Sequence, residues 1–175
     1  MRKHILLLIT LLVTLEVTAQ NNENFYFSNL NLKDGLSQIS VLKIFQDTKG
    51  FIWFGTRNGL NRYDGSEFVI YKHDPKDSLT LSDNHIWSLA EDNDRNLWIG
   101  TARGLNKLDL KTNRIKPFVD ERYGAFAKSE VRCLTVDSRN RLWIGTTKGL
   151  YLYVPAMDVF QRIDCLLYTS PSPRD

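Results

Sequence analysis

The chain is 175 residues long, 42% apolar and 25% charged, with a formal charge of +3. That composition belongs to a globular chain. So small a positive excess, gathered into no basic stripe, gives no footing for a nucleic-acid partner.

Residues 1–19 read as an export signal. Met1-Arg2-Lys3-His4 is a short basic start, residues 5–13 are apolar but for Thr10, and Val17-Thr18-Ala19 before Gln20 has the small-residue form of a cleavage site. The apolar run is too short to span a bilayer, and Glu16 stops it from growing longer. No Cys follows it, so a lipid anchor there is not expected. The mature chain is expected to start near Gln20, outside the cytoplasm.

From residue 24 onward, short β-type runs alternate with turn residues, and no helical stripe of useful length appears. Residues 25–27 read as a leading strand, followed by a polar turn over 31–35. Strands are then expected at 41–45, 51–55, 60–63 and 68–72. A second cycle follows at 86–90, 96–100, 105–108 and 115–119, and a third at 131–136, 142–145, 150–153 and 159–163. Each cycle is four strands joined by turns.

The cycles are copies of one another. Trp53-Phe54-Gly55-Thr56-x-x-Gly59-Leu60 recurs as Trp98-Ile99-Gly100-Thr101-x-x-Gly104-Leu105 and as Trp143-Ile144-Gly145-Thr146-x-x-Gly149-Leu150, 45 residues apart each time. Asp47, Asp92 and Asp137 stand six residues before the three tryptophans. This period is that of a four-stranded propeller blade. An Asp at a strand end bonds its own backbone two residues on and fixes a turn. The Trp supplies contact area between sheets. The Gly after it allows close approach, and Gly59, Gly104 and Gly149 suit a hairpin turn of positive φ. Gly50 and Asn140 suit a left-handed position that Arg95 fills in the middle copy. A sheet of this kind buries both faces only against copies of itself, which is the logic of a radial propeller.

The expected fold is therefore all-β: a propeller of four-stranded antiparallel blades, with about three blades present and the ring incomplete. The division is 1–19 signal peptide, 20–40 ring-closing strand and lead-in, 41–85, 86–130 and 131–164 blades 1 to 3, and 165–175 a non-native or disordered tail. In that tail Cys165 is followed by a Ser/Pro-rich end that abandons the repeat. Cys133, in a strand, is expected as a small buried hydrophobe, and the two cysteines give no disulfide framework.

The copies Gln46-Asp47-Thr48-Lys49-Gly50-Phe51-Ile52-Trp53-Phe54-Gly55-Thr56-Arg57-Asn58-Gly59-Leu60 and Glu91-Asp92 onward resemble the two-component-regulator propeller repeat. So do the lead-in Leu32-Lys33-Asp34-Gly35-Leu36-Ser37-Gln38 and the junction Ser78-Leu79-Thr80-Leu81-Ser82-Asp83-Asn84. Placed after a signal peptide, the arrangement is similar to the N-terminus of hybrid two-component sensors of Bacteroidetes. Residues 25–164 carry the resemblance; Arg95, Tyr151 and Val154 depart from it. It implies a periplasmic sensor of seven-bladed propellers, usually two, then a β-sandwich, a membrane span, a histidine kinase, a receiver and a DNA-binding domain. It further implies a parent anchored in the inner membrane, dimeric, and responsive to glycan fragments.

Within the chain itself no catalytic set, cofactor or metal is expected. The ring of Asp47, Asp92 and Asp137 reads as turn aspartates, Asp92-x-Asp94 lacks the Gly and distal Glu of a calcium loop, and His73 and His85 have no partner at zinc-ligand spacing. A binding reading draws on loops at one end of the ring. Its candidates are Asn84, His85 and Trp87 at the junction before one inner strand, Ser129, Glu130 and Arg132 at the junction before the next, Gln38 and Ser40 at the matching first position, and Arg57, Asn58, Arg103 and Lys148 in the hairpin turns. Trp87 stands where the first copy has Leu42. An aromatic face stacks on sugar rings, and Arg and Asn bond hydroxyls or carboxylates; packing within the blade is the competing role for Trp87. An oligosaccharide is the ligand class the resemblance favours, with later sensor and kinase domains as partners. The rivals are an exported polysaccharide lyase or glycosidase and a protein-interaction scaffold.

Overall fold

The computed structural model describes residues 27–119, 123 and 126–164. The signal segment, the tail with Cys165, and Phe25 and Tyr26 of the expected leading strand lie outside them. Phe27 is in no strand and is 97% exposed. The expected turn over 31–35 is one 3-10 turn, Leu32–Asp34, closed by a reciprocal pair: Lys33 N–H donates to the Asn31 side chain, and Asn31 N–H to Asp34.

Among the described residues, twelve strands form three separate four-stranded antiparallel sheets. Blade 1 is β1 (Val41–Gln46), β2 (Ile52–Thr56), β3 (Gly59–Tyr63) and β4 (Phe68–Tyr71). Blade 2 is β5 (Ile86–Glu91), β6 (Asn96–Thr101), β7 (Gly104–Asp109) and β8 (Arg114–Phe118). Blade 3 is β9 (Val131–Val136), β10 (Leu142–Thr146), β11 (Gly149–Val154) and β12 (Val159–Ile163). The strands of each blade are paired in chain order, and β1 touches β5 while β5 touches β9. The first strands therefore lie side by side on the inside of an arc.

The repeated aspartate does two jobs. Its Oδ1 accepts the backbone N–H two and four residues on, Lys49 and Phe51 in blade 1, and its Oδ2 accepts the indole N–H of the Trp six residues on. The same bonds recur at Asp92–Trp98 and Asp137–Trp143, with indole distances of 2.8 and 3.0 Å. A buried indole needs such an acceptor. The turn also demands a left-handed residue: Gly50, Arg95 and Asn140 have φ of 91°, 71° and 59°.

Blades stack Trp face against opposite face. Trp53 and Leu60 of blade 1 meet Leu89, Leu97 and Ile99 of blade 2; Trp98, Leu105 and Phe118 of blade 2 meet Leu142, Ile144 and Tyr153 of blade 3. The glycine after each Trp pair makes room for the neighbour. A Cβ on Gly100 would lie 2.7 Å from the Val131 carbonyl oxygen of blade 3. Connectors are pinned by a second polar motif. Ser82 N–H donates to Asn106 Oδ1, and Ser82 Oγ lies 2.9 Å from Thr101 Oγ1; Ser37, Asn61 and Thr56 do the same one repeat earlier. In blade 3 these positions are Ala127 and Tyr151, and the Tyr151 ring packs tilted against Phe126 instead, 4.9 Å between centroids.

One expectation is overturned. Cys133 is exposed, because its sheet face, Cys133, Gly145 and Leu150, is the Trp face of blade 3, against which no described blade packs. Leu150 on that face is 39% exposed, while its counterparts Leu60 and Leu105 are fully buried. At the other end of the arc, Ile44 is 60% exposed where the matching Leu89 is 2%.

Candidate functional site

Chain direction divides the arc into two ends. The Asp turns and the β3–β4, β7–β8 and β11–β12 connections lie at one end. The β2–β3, β6–β7 and β10–β11 turns lie at the other, called here the upper end, together with the connectors between blades. The sequence-derived binding candidates fall at the upper end.

There the first strand of every blade carries a bulge at the same place. Pairing passes from Val41↔Thr56 to Lys43↔Gly55, from Ile86↔Thr101 to Ser88↔Gly100, and from Val131↔Thr146 to Cys133↔Gly145. Leu42, Trp87 and Arg132 are left without an opposite residue, again 45 apart. A bulge re-aims the side chain it carries and recurs beside functional sites. Around the mouth these three positions therefore present an aliphatic, an aromatic and a cationic group in succession, with Ser40, His85 and Glu130 two residues before them.

The second and third of these close on one another. The His85 ring stacks on Trp87 at 4.1 Å and 29°, and the Arg132 guanidinium sits 4.0 Å from the Trp87 ring centre. Arg132 is also ion-paired to Glu130. Asp83 accepts the His85 backbone N–H and lies 3.7 Å from Arg103. His85 Nε2 and Trp87 Nε1 are buried with no hydrogen-bond partner among the described residues. Desolvation first, and then the Arg57 charge, hold the His85 imidazole below its ordinary pKa of 6.5, so it is neutral at physiological pH. A neutral imidazole offers one donor and one acceptor.

The other candidates divide. Asn84 and Asn58 do fold work: Asn84 Oδ1 accepts from His73 N–H, and Asn58 Nδ2 donates to the Ser37 carbonyl. Arg57, Arg103 and Lys148 have exposed side chains in the three upper turns, where Arg103 and Lys148 donate their backbone N–H to the turn threonine. Ser40 and Glu130, junction residues in the binding reading of the sequence, complete the mouth together with Asp83, which that reading does not include. Positions 40, 85 and 130 keep the repeat spacing while their residue types differ.

Among the described residues, no three His, Cys, Asp or Glu side chains are grouped to hold a metal, and no helix is long and apolar enough to cross a membrane.

A family model described as two component regulator propeller matches residues 35–58, 80–103 and 126–148, one match per blade. The chain thus carries three copies of the two-component regulator propeller repeat. Histidine kinase P4 of Formosa agariphila is 47% identical over 70 residues, which are 40% of this chain and 5% of that protein. The extracellular domain of BT4673 from B. thetaiotaomicron, described as a one component system, superposes with a TM-score of 0.61 at 29% identity, over 76% of this chain and 17% of that one. PorZ, a surface component of the type-IX secretion system of Porphyromonas gingivalis, shares the fold at a TM-score of 0.57 and 17% identity, over 71% of this chain and 21% of its own. This propeller chain thus spans a small part of each relative's length.

Proposed function

We propose that this chain is ligand-sensing propeller from the periplasmic part of a hybrid two-component sensor, that it binds oligosaccharide at the upper mouth, and that it catalyses nothing itself. The observation that carries the binding reading is the registered bulge. It gathers an indole, an imidazole and a guanidinium at one rim and leaves two buried ring nitrogens unpartnered. An unmade buried hydrogen bond costs roughly 1–3 kcal/mol, so a hydroxyl that reaches either nitrogen recovers part of that. The His85–Trp87–Arg132 stack supplies flat surface of the kind sugars pack against.

The signalling half of the reading rests on the family and on the kinase relative. The parent would be exported by residues 1–19, anchored in the inner membrane, and dimeric, with the kinase domains downstream. Ligand would act by changing how propeller blades meet the domains that follow them. The division into a lead-in, three blades and a tail belongs to the same proposal.

Calorimetry with the 175-residue chain and a panel of neutral and acidic oligosaccharides is the direct test. At least one member should bind, and Trp87→Ala should weaken it about tenfold or more, the equivalent of roughly 1.4 kcal/mol. Failure of every member to bind, or release of shorter sugars during incubation, contradicts the reading.

A further inference from the structure

The upper turn of blade 1 holds an Asn-Gly step, Asn58-Gly59, the one such step in the sequence. The same position is Arg103-Gly104 in blade 2 and Lys148-Gly149 in blade 3, so blade 1 alone carries an amide there. An Asn followed by Gly is the pairing most open to loss of the side-chain amide. Glycine has no Cβ to keep its backbone nitrogen away from the preceding side chain, and its backbone reaches the angles that ring closure needs.

Both reacting groups at this step are held. The Gly59 N–H, whose nitrogen is the nucleophile, donates to the Asn84 carbonyl at 2.8 Å. Asn58 Nδ2, the leaving group, donates to the Ser37 carbonyl at 3.0 Å. The Gly59 bond belongs to the repeat, since Gly104 N–H donates to the Ser129 carbonyl in the same way. The Asn58 bond ties down the lead-in. Three more ties hold the lead-in to this blade: Ser37 N–H donates to Asn61, Ser37 Oγ lies 3.1 Å from Thr56 Oγ1, and Gln38 Oε1 accepts the Arg57 N–H. Gly59 is buried with φ of 111°, whereas Asn58 is exposed, so water reaches its side chain.

We propose that Asn58 is a modification site, at which the lead-in restrains deamidation and is loosened by it. The Gly59 nitrogen attacks Asn58 Cγ, the Cγ–Nδ2 bond breaks, the attacking nitrogen's proton leaves with ammonia, and a succinimide remains. Water opens that ring to aspartate or isoaspartate, with no oxidant, reductant or other co-reactant. The product exchanges a donor for an acceptor. A carboxylate oxygen then faces the Ser37 carbonyl, neither group has a proton to share, and one tie of the lead-in becomes a repulsion. The change runs one way and sets a negative charge beside Arg57 at the upper end. It stands apart from the sugar-binding reading, which neither supports it nor depends on it.

The 175-residue chain and a free peptide of residues 52–63 are aged together in mildly alkaline buffer, and acid at position 58 is followed by peptide mapping with mass spectrometry. The peptide should convert. The folded chain should convert about tenfold more slowly or slower still, because the held hydrogen bonds must open before attack. Gln38→Ala loosens the lead-in without touching a reacting atom and should speed conversion in the folded chain. Asn58→Asp should make trypsin cut after Lys33, in the lead-in, about tenfold faster than in the fresh chain, the loss expected for one hydrogen bond turned repulsive. The aged chain, which acquires its acid after folding, should show the same faster cutting in the converted fraction.

No acid in the peptide, or equal rates in peptide and folded chain, overturns the restrained site. An unchanged rate in Gln38→Ala overturns the lead-in as the restraint. Cutting after Lys33 that is no faster in the converted fraction of the aged chain overturns the loosening, whether or not Asn58→Asp folds.

Discussion

At the residue scale, the aspartate six before each tryptophan is the most consequential side chain in the fold. Removing Asp92 strands two backbone N–H groups and a buried indole N–H together. Asp92→Ala should therefore cost about 3 kcal/mol, at roughly 1 kcal/mol per hydrogen bond, read from urea unfolding. Asp137→Ala should cost less, because Trp143 is only half-buried and water can replace the carboxylate. Arg95 offers the reverse case. It holds φ of 71°, which costs a side-chain-bearing residue about 1 kcal/mol, so Arg95→Gly should stabilise by up to that amount despite the loss of the Glu91 ion pair. His85 gives a pH test. Its imidazole pKa is depressed in the folded chain, so protons bind the unfolded chain more readily. Stability should be flat above pH 6.5 and fall as pH drops below it. An NMR titration midpoint at or above 6.5 would contradict the burial assigned to it.

At the scale of the blade, equivalent glycines should not respond equally. Gly100→Ala drives a Cβ into the Val131 backbone and should cost about 3 kcal/mol, the upper range for overpacking. At Gly145 the Cβ would meet only the Cys133 thiol, an exposed side chain able to swing aside, so Gly145→Ala should cost distinctly less. Equal costs in thermal unfolding would mean that the neighbouring blade is not what constrains Gly100. The blades were legible in the sequence because each is specified locally: alternation, a turn aspartate, a Trp and two glycines at one offset. What the repeats hid was the polar wiring between elements. The Trp–Asp bond could have been inferred from the fixed six-residue spacing, and the connector latch from Ser37, Ser82, Asn61 and Asn106. The bulges were harder, because a bulge is a property of pairing between two strands. Its residues Leu42, Trp87 and Arg132 differ in type, so they resemble noise in the repeat. Trp87 was singled out for its novelty, while its stack with His85 and Arg132 needed the adjacent blade in place.

At the scale of the whole molecule, burial is shared between blades, and Cys133 shows the consequence. Its strand sequence resembles that of buried Ser88, yet only a further blade would cover it. The arc therefore shows two unlike apolar faces, Leu150 with Cys133 at one end and Ile44 with Ile70 at the other. Inside the arc the same two kinds of face are held against each other, Trp face to opposite face. Exposed apolar faces of this kind drive association. The 175-residue chain should accordingly grow in mass with concentration in light scattering. Ile44→Lys combined with Leu150→Lys should return it to a monomer with an unchanged far-ultraviolet spectrum, because both positions tolerate a solvated charge where they stand. A chain that stays monomeric throughout, or association that survives both lysines, would show that the end faces are not what brings copies together.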